Sequence, residues 1–237
     1  MSMLPHHYQE LETIYAATLA GGMRTLAISA ANPGEGVTTL AVALAERNLL
    51  AGRSTLLVDL NLHHPALEDL LSLEEADIRP LPLPAPQLVR TAEEPVALTG
   101  ITAPSHREMV MKLRQPGILK QCIEVLKQRY DTLIFDTSAL SRRNANNIPA
   151  EQVAAACDGS LLVVLAGQTT ETMVSSAVEK LKTGGAQLNG CVLNDRNCPT
   201  LKSELLREIA RIKPRFNAIA NWLGRRVHDN RLLSLEI

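Results

Sequence analysis

The side chains best suited to chemistry in this chain begin at a glycine-rich loop, residues 31–39, which has the sequence Ala-Asn-Pro-Gly-Glu-Gly-Val-Thr-Thr. A strand-like apolar run, residues 25–30, precedes the loop, and a helix-like apolar run, residues 40–50, follows it. In such a strand–loop–helix arrangement, backbone N–H groups and the helix N-terminus hold phosphate groups. The loop therefore predicts a phosphate or nucleotide site with the binding residues Gly34, Glu35, Gly36, Val37, Thr38 and Thr39. The alternative is that the two glycines only build a tight turn between strand and helix.

Val37 occupies the position at which a phosphate-binding loop of this kind carries a lysine. That lysine reaches the outer phosphates and offsets the negative charge that builds as the phosphate bond breaks. Losing one charge-assisted contact costs about 1.5–3 kcal/mol of binding free energy, which is about ten- to a hundredfold in affinity. We therefore expect ATP or ADP with magnesium to bind weakly or not at all. Hydrolysis should suffer more than binding, because the lysine acts on charge that develops in the transition state.

Asp59, Asp136 and Asn194 stand at the carboxyl ends of three predicted strands. Ligands of parallel α/β sheets bind outside those ends, so Asn194 is predicted to lie at the nucleotide site. Asp59 and Asp136, together with the Thr38 hydroxyl, are predicted to form a magnesium site, either working or vestigial, since magnesium needs few protein carboxylates. In the alternative interpretation Thr38 is a helix N-cap and the two aspartates bond loop N–H groups.

The composition favours an α/β fold with a central, mainly parallel sheet flanked by helices. Of the 237 residues, 46% are apolar but only 3% are aromatic, so the core must consist of Leu, Val, Ile and Ala. Helix-like and strand-like patterns alternate along the chain, as in a parallel sheet covered on both faces. Helices are predicted at residues 8–20, 40–50, 117–129, 151–156 and 172–182, and strands at residues 24–30, 54–60, 96–101, 132–136, 159–166 and 188–194. Residues 77–105 are rich in proline, and outside the strand at 96–101 we expect extended surface chain there.

Charge and hydropathy narrow the function class. The formal net charge of −1 gives no global attraction to nucleic acid, so no nucleic-acid partner is expected. No apolar run reaches the length of about 18 residues that crosses a bilayer, and the first twelve residues lack the apolar core of a secretion signal. The four cysteines show no paired metal-ligand spacing and suggest reduced thiols. A cytoplasmic protein is expected.

Four motifs in order resemble those of the cytoplasmic domain of bacterial tyrosine kinases, which belong to the ParA/MinD-type branch of P-loop ATPases and act in capsule and exopolysaccharide export. The family patterns are Pro-Gly-Glu-Gly-Lys-Ser/Thr-Thr, Leu-Leu-Ile-Asp-x-Asp-x-Arg-Arg-Pro, Tyr-Asp-x-x-Ile-Ile-Asp-Thr-Pro-Pro and Ala-Asp-Gly-x-Leu-Leu-Val-Val. They correspond here to residues 33–39, 56–65, 130–139 and 157–164. The resemblance covers residues 8–195 and implies a three-layer P-loop NTPase-like fold in one domain spanning residues 1–237.

Departures from the family pattern fall on its catalytic parts. The loop lysine is Val37, and the second carboxylate of the strand-two motif is Asn61. Related ATPases use another lysine early in the loop, but the first lysine of this chain is Lys112. Arg142 or Arg143, soon after the third motif, remains a candidate for a cation supplied to a neighbouring subunit.

Two further family features are missing outside the loop. The early helix motif Glu-x-x-Arg-x-x-Arg, which helps family members form a ring, has Glu10, Thr13 and Ala16 in the same frame. The family's C-terminal tyrosine cluster, its site of autophosphorylation, is absent because the last tyrosine is Tyr130. Ring formation and autophosphorylation by the family's routes are therefore not expected.

The C-terminal segment, residues 196–237, is predicted to be helical and basic. Residues 196–231 contain nine basic and three acidic residues, with apolar residues interleaved. One interpretation is a pair of helices that packs on the sheet and exposes a basic rim. The other is docking to an anionic membrane surface or to the cytoplasmic tail of a membrane protein.

Together these features favour a catalytically impaired kinase-like protein that regulates or scaffolds exopolysaccharide biosynthesis. The resemblance implies a membrane polysaccharide co-polymerase or another secretion-complex protein as partner, a second copy of the chain as a further candidate, and a peripheral position at the inner membrane. Two alternatives stay open: an active ATPase or tyrosine autokinase with an atypical loop, and a ParA/MinD-like positioning protein.

Overall fold

The computed structural model describes residues 8–65, 87–90, 97–102, 104, 106–142 and 147–196. It also describes helical residues at 205–206, 208–209, 211, 222–223 and 226–227. The chain divides into two compact units, Met1–Asn194 and Asp195–Ile237. The predicted extent of a single domain and the role of the basic segment stay predictions.

The first unit is built on a seven-stranded sheet whose strand order is β3-β4-β2-β5-β1-β6-β7. Six strands run parallel, and β3 joins the edge antiparallel to β4. The strands are β1 (Thr25–Ala30), β2 (Thr55–Leu60), β3 (Gln87–Arg90), β4 (Ala97–Ile101), β5 (Thr132–Thr137), β6 (Gly159–Leu165) and β7 (Leu188–Asn194). Because β1 lies between β5 and β6, the loop that follows β1 emerges at the middle of the sheet.

Helices connect the parallel strands and cover both faces of the sheet. They are α1 (Gln9–Ala17), α2 (Val37–Leu50), α3 (Arg107–Leu113), α4 (Ile118–Leu126), α5 (Ala150–Ala156) and α6 (Glu171–Thr183). Two apolar clusters result, one between the sheet and α1–α2 and the other between the sheet and α3–α6. Every residue of β1, β2, β5 and β6 is buried, which explains why these strands are mostly apolar and lack an alternation of apolar and polar residues. The predicted three-layer, mainly parallel α/β fold is confirmed.

The structure adds elements that the sequence patterns did not predict. β3 lies in the proline-rich region that was expected to be extended surface chain outside residues 96–101. Its four residues stand between prolines at 86 and 95, and an edge position suits such a strand because proline cannot donate to a central ladder. Helix α3 was also not predicted; it is only seven residues long, too short for a clear apolar period.

Candidate functional site

The glycine-rich loop, residues 31–39, joins β1 to α2 at the carboxyl end of the central strand. Gly34 and Gly36 have φ values of 81° and 104°, a left-handed region that glycine adopts without strain. Gly36 is the N-cap of α2, whose first intrahelical hydrogen bond runs from Leu40 N–H to Gly36 O at 3.1 Å. The N–H groups of residues 37–39 therefore have no acceptor within α2, and together with the helix dipole they make an anion-binding end. This is the geometry that the loop sequence predicted.

Thr38 and Thr39 both lie in the first turn of α2. Thr38 was considered as an N-cap, but this interpretation is wrong because Gly36 is the cap and α2 already begins at Val37. The Thr38 hydroxyl instead donates to Asp136 Oδ2 at 2.5 Å. Thr39 is half-buried beside it.

Val37 is the first residue of α2, and its side chain packs into the apolar cluster between α1, α2 and the sheet. Only 9% of its surface is exposed. A lysine at this position would extend its ammonium group toward the ligand, whereas valine contributes to the core and brings no charge to the loop. The loop therefore keeps its backbone geometry while its own cation is replaced by an apolar anchor.

Asp59 and Asp136 lie side by side, because β2 and β5 are neighbours and the two residues are paired in register. Both carboxylates are fully buried. Burial, and then the neighbouring Asp59 carboxylate, raise the pKa of Asp136 well above its ordinary value, although the hydrogen bond from Thr38 opposes this. Asp136 Oδ1 is buried without a hydrogen-bond partner among the described residues, so one strong acceptor is left for a cation or a proton.

Uncharged side chains surround this pair where the family pattern has a third carboxylate. The Asn61 N–H donates to Asp59 Oδ1 at 2.8 Å, which partly fits the alternative that Asp59 bonds loop N–H groups. Asn61 Oδ1 accepts from the Ser138 hydroxyl at 3.3 Å, and the same hydroxyl lies 2.8 Å from Asn147 Oδ1. The site thus holds two carboxylates and a hydroxyl, a donor set that suits a hard divalent cation such as Mg²⁺.

Asn194, at the end of β7, lies over the loop as its sequence position predicted. Its Nδ2 donates to Glu35 O at 2.9 Å, and a Cβ added at Gly36 would lie 2.6 Å from the same nitrogen. Glu35 is 3% exposed, and its Oε1 accepts from Thr169 Oγ1 at 2.5 Å and from Asn32 Nδ2 at 3.1 Å. The role of Thr169 was not predicted, since no sequence signal marks a single threonine in the turn after β6.

Two aspartates from the other resembling motifs lie at the opposite end of the sheet. Asp158 Oδ2 accepts from the N–H groups of Arg24 and Thr25, both at 2.9 Å, at the start of β1. Asp131 Oδ2 accepts from the Ser54 N–H and hydroxyl, and these bonds lower the pKa of Asp131. These residues align the amino ends of the strands and do not belong to the candidate site.

Glu10, Thr13 and Ala16, which stand where the resembling family has its ring motif, lie on an exposed face of α1. The other side of α1 contacts α2. Arg47 of α2 forms an ion pair with Glu12 of α1, and its guanidinium lies 4.4 Å from the centre of the Tyr15 ring. This ion pair lowers the pKa of Glu12. Of the two candidate arginines, Arg142 is exposed after β5 and Arg143 lies outside the described residues.

Known proteins with sequences similar to this chain include bacterial kinases. No protein-family model matches the chain. It is 26% identical to tyrosine-protein kinase YwqD of Bacillus subtilis over 205 residues, covering 82% of each chain. It is also 26% identical to tyrosine-protein kinase CpsD of Streptococcus agalactiae over 188 residues, covering 73% of this chain and 76% of CpsD. The homologues of this chain are bacterial tyrosine-protein kinases.

A third relative is the succinoglycan biosynthesis transport protein ExoP of Rhizobium meliloti, 27% identical over 183 residues. The match covers 74% of this chain but 23% of ExoP, so it corresponds to one part of a larger protein. The relatives of this chain thus include tyrosine-protein kinases and a transport protein of succinoglycan biosynthesis.

Solved structures support the same fold. The kinase domain of Escherichia coli tyrosine kinase ETK superposes with a TM-score of 0.63 at 20% identity, covering 80% of this chain and 74% of that domain. The septum site-determining protein MinD of Pyrococcus horikoshii, complexed with Mg-ADP, superposes with a TM-score of 0.56 at 23% identity, covering 74% and 72%. The chain therefore has the ParA/MinD-like P-loop fold. Among the described residues, no helix is both long and apolar enough to cross a membrane.

Proposed function

We propose that this chain is a catalytically impaired tyrosine-kinase-like protein that acts as a regulator or scaffold in exopolysaccharide biosynthesis. The observation that carries the proposal is the placement of Val37, which is packed into the core where a catalytic lysine would face the outer phosphates. Phosphoryl transfer depends mainly on electrostatic stabilisation of the transition state, so losing this cation affects turnover most. Asn61 removes a second charge from the same site.

We further propose that the loop retains weak affinity for ATP or ADP with Mg²⁺. Gly34 and Gly36 keep the anion-binding backbone, and Asp136 Oδ1 is a buried acceptor without a partner among the described residues. Thr38, Asp59 and Asp136 would hold the metal ion, which would neutralise phosphate charge when bound. Asn194 would border the nucleotide at the end of β7.

A thermal-shift titration with Mg-ADP and Mg-ATP tests nucleotide binding directly. For a dissociation constant of about 1 mM, 10 mM ligand stabilises the folded state by about 1.4 kcal/mol. In a protein of this size that raises the Tm by about 2–4 °C per kcal/mol. The matched control is Asp59→Ala, which should remove the magnesium-dependent part of the shift. No shift at 10 mM nucleotide would leave a role in protein binding alone.

The second candidate function is an active ATPase or autokinase with an atypical loop. It is favoured by the contact between Thr38 and Asp136 and by the pairing of Asp59 with Asp136, an arrangement that would suit a bound metal ion. Release of inorganic phosphate from ATP by the wild-type protein, abolished by Asp59→Ala, would favour this candidate over the first. Phosphotyrosine on the purified protein would identify the autokinase.

The proposed partner is the cytoplasmic segment of a membrane polysaccharide co-polymerase or another protein of the secretion complex. Fluorescence anisotropy of labelled cytoplasmic segments, with and without Mg-ATP, measures this binding. Sedimentation of the chain alone under the same conditions measures homodimer formation. Nucleotide-dependent dimerisation without partner binding would instead favour a ParA/MinD-like positioning role.

A further inference from the structure

A chain of hydrogen bonds fastens the glycine-rich loop to the turn between β6 and α6. The Thr169 hydroxyl accepts from the Leu165 N–H at 3.2 Å, at the end of β6. The same hydroxyl lies 2.5 Å from Glu35 Oε1, and because a carboxylate only accepts, Thr169 is the donor. Asn32 Nδ2 donates to the same carboxylate oxygen from within the loop.

This contact is buried and involves a charged group, which makes it stronger than a surface hydrogen bond. Glu35 is 3% exposed, so the carboxylate is withdrawn from solvent although it belongs to a loop. Hydrogen bonds to ionised groups are roughly twice as strong as those between neutral groups. Glu35 Oε2 is also buried and has no hydrogen-bond partner among the described residues, so the bonds to Oε1 carry the stabilisation of the carboxylate.

Glu35 stands between the two glycines with positive φ, so the hydrogen bonds to its carboxylate act on the loop backbone at that point. Asn194 Nδ2 holds the Glu35 carbonyl from the other side at 2.9 Å. The side chain of Glu35 is thus bonded to the turn that follows β6, and its carbonyl is bonded to the end of β7. The conformation that directs the N–H groups of the loop is therefore held in part by side chains that lie outside the loop itself.

We propose that Glu35 and Thr169 form a latch that holds the glycine-rich loop in its anion-binding conformation, so that Glu35 is a positioning residue for a phosphate ligand. This inference rests on the proposed nucleotide binding. Because Val37 replaces the lysine of the loop, the loop has no ammonium group of its own to order it around the phosphates, and the latch holds the loop in place before the ligand binds. The expected benefit is a lower entropic cost of binding.

The most direct variant is Thr169→Val, because it removes the hydroxyl while it keeps the shape of the side chain and the charge of Glu35. It removes the acceptor for the Leu165 N–H as well as the donor to Glu35, so the Tm of the variant must be measured alongside its affinity. Thr169→Ser is the matched control, since it keeps the hydroxyl. Substituting Glu35 is less clean, because losing a negative charge near the phosphates favours anion binding by itself.

The measurement is the dissociation constant for Mg-ADP by isothermal titration calorimetry, together with the Tm of each protein without nucleotide. We expect Thr169→Val to weaken binding about five- to tenfold, which is about 1–1.4 kcal/mol. Thr169→Ser should stay within twofold of wild type. Equal affinities for the valine and serine variants, each within twofold of wild type, would overturn the latch.

Hydrogen exchange of the ligand-free proteins separates failure of the latch from failure of nucleotide binding. The latch predicts faster exchange at the amides of residues 34–39 in Thr169→Val than in Thr169→Ser, whether or not nucleotide binds. If wild type binds no nucleotide but this difference is present, the proposed binding fails and the latch stands. If exchange is the same in both variants, the latch is wrong.

Discussion

Asp59 and Asp136 occupy directly paired positions on β2 and β5, and both side chains are fully buried. Two carboxylates this close cannot both ionise without cost, and the pKa of Asp136 is accordingly raised by burial and by Asp59. The folded state therefore binds a proton that the unfolded state releases as the pH rises. Stability must fall with increasing pH between the ordinary carboxyl pKa and the raised pKa of Asp136, by up to about 1.4 kcal/mol per pH unit for one proton.

Asp136→Asn should remove this pH dependence. The amide oxygen can still accept from Thr38, and no charge is buried next to Asp59. In metal-free buffer we expect the variant to unfold at higher urea concentration than wild type near pH 8, with a smaller advantage near pH 5. Urea midpoints measured across this range check the prediction, and an equal pH profile for both proteins would contradict it.

Asp131→Asn is the control for the pH series, because the pKa of Asp131 is lowered whereas the pKa of Asp136 is raised. The pKa of Asp131 is lowered by its bonds from Ser54, so its contribution to stability is complete above the ordinary carboxyl pKa. That contribution is lost as the pH falls through the lowered pKa of Asp131. In Asp131→Asn this decrease in stability at low pH should be absent. The two variants should therefore change the stability profile in opposite directions.

The two loop glycines should differ in their tolerance of a side chain. A Cβ at Gly36 would lie 2.6 Å from Asn194 Nδ2, and the φ of 104° is strained for alanine. At Gly34 the φ is 81°, but nothing lies within 4 Å of an added Cβ. We expect Gly36→Ala to lose about 2–4 kcal/mol of unfolding free energy and Gly34→Ala about 1–2 kcal/mol, from backbone strain.

Urea unfolding of both variants, with a nucleotide thermal shift, measures this difference. The double variant Asn194→Ala with Gly36→Ala removes the steric contact and leaves the backbone strain. The unfolding free energy that Gly36→Ala costs in the Asn194→Ala background should therefore approach the cost of Gly34→Ala in wild type. Equal losses for the two single glycine variants would show that the Asn194 contact does not restrict the loop.

Restoring the loop cation should raise nucleotide affinity at a cost in stability. Val37→Lys returns an ammonium group near the outer phosphates, which is expected to tighten Mg-ATP binding about ten- to a hundredfold. Val37 is 9% exposed within an apolar cluster, so removing it should cost about 1–3 kcal/mol of unfolding free energy. Val37→Met, which keeps length without charge, is the control and should show no gain in affinity.

Hydrolysis should respond less than binding to this change, because Asn61 still replaces a carboxylate. We expect Val37→Lys alone to remain a poor ATPase and the double variant Val37→Lys with Asn61→Asp to gain turnover. Phosphate release from ATP, measured for wild type, Val37→Lys and the double variant, tests this prediction. Turnover by wild type equal to that of the double variant would contradict catalytic impairment.

Much of the fold could be predicted because buried parallel strands leave a strong pattern. The strands β1, β2, β5 and β6 are mostly apolar and show no alternation, and their order with intervening helices indicates a parallel sheet. β3 was missed because four residues between prolines carry little periodic signal, and its place at the edge depends on pairing with β4. Local patterns do not encode such long-range pairing.

The candidate site could be predicted in part, and for a similar reason. Asp59, Asp136 and Asn194 were placed correctly because the carboxyl ends of parallel strands meet at one edge. The contact of Thr169 with Glu35 was not predicted, because it joins residues 134 positions apart through a single hydroxyl. The N-cap interpretation of Thr38 was wrong because glycine at position 36 caps the helix two residues earlier.

Asp158 should matter for folding but not for the nucleotide site. Its Oδ2 accepts from the N–H groups of Arg24 and Thr25. Because Thr25 is 1% exposed, Asp158→Ala would leave the Thr25 N–H buried without this acceptor. We expect a loss of about 1–3 kcal/mol in unfolding free energy. Asp158→Asn keeps an acceptor oxygen and should lose less.

The nucleotide thermal shift of Asp158→Ala should equal that of wild type once its lower starting Tm is taken into account. Asp158 lies at the amino end of the strands, where it aligns the starts of β1 and β6. The glycine-rich loop lies at the opposite, carboxyl end of β1, so the substitution should not reach the nucleotide site. A resembling motif does not by itself make a ligand contact. If Asp158→Ala lost nucleotide binding while it remained folded by circular dichroism, the assignment of this motif to strand alignment would be wrong.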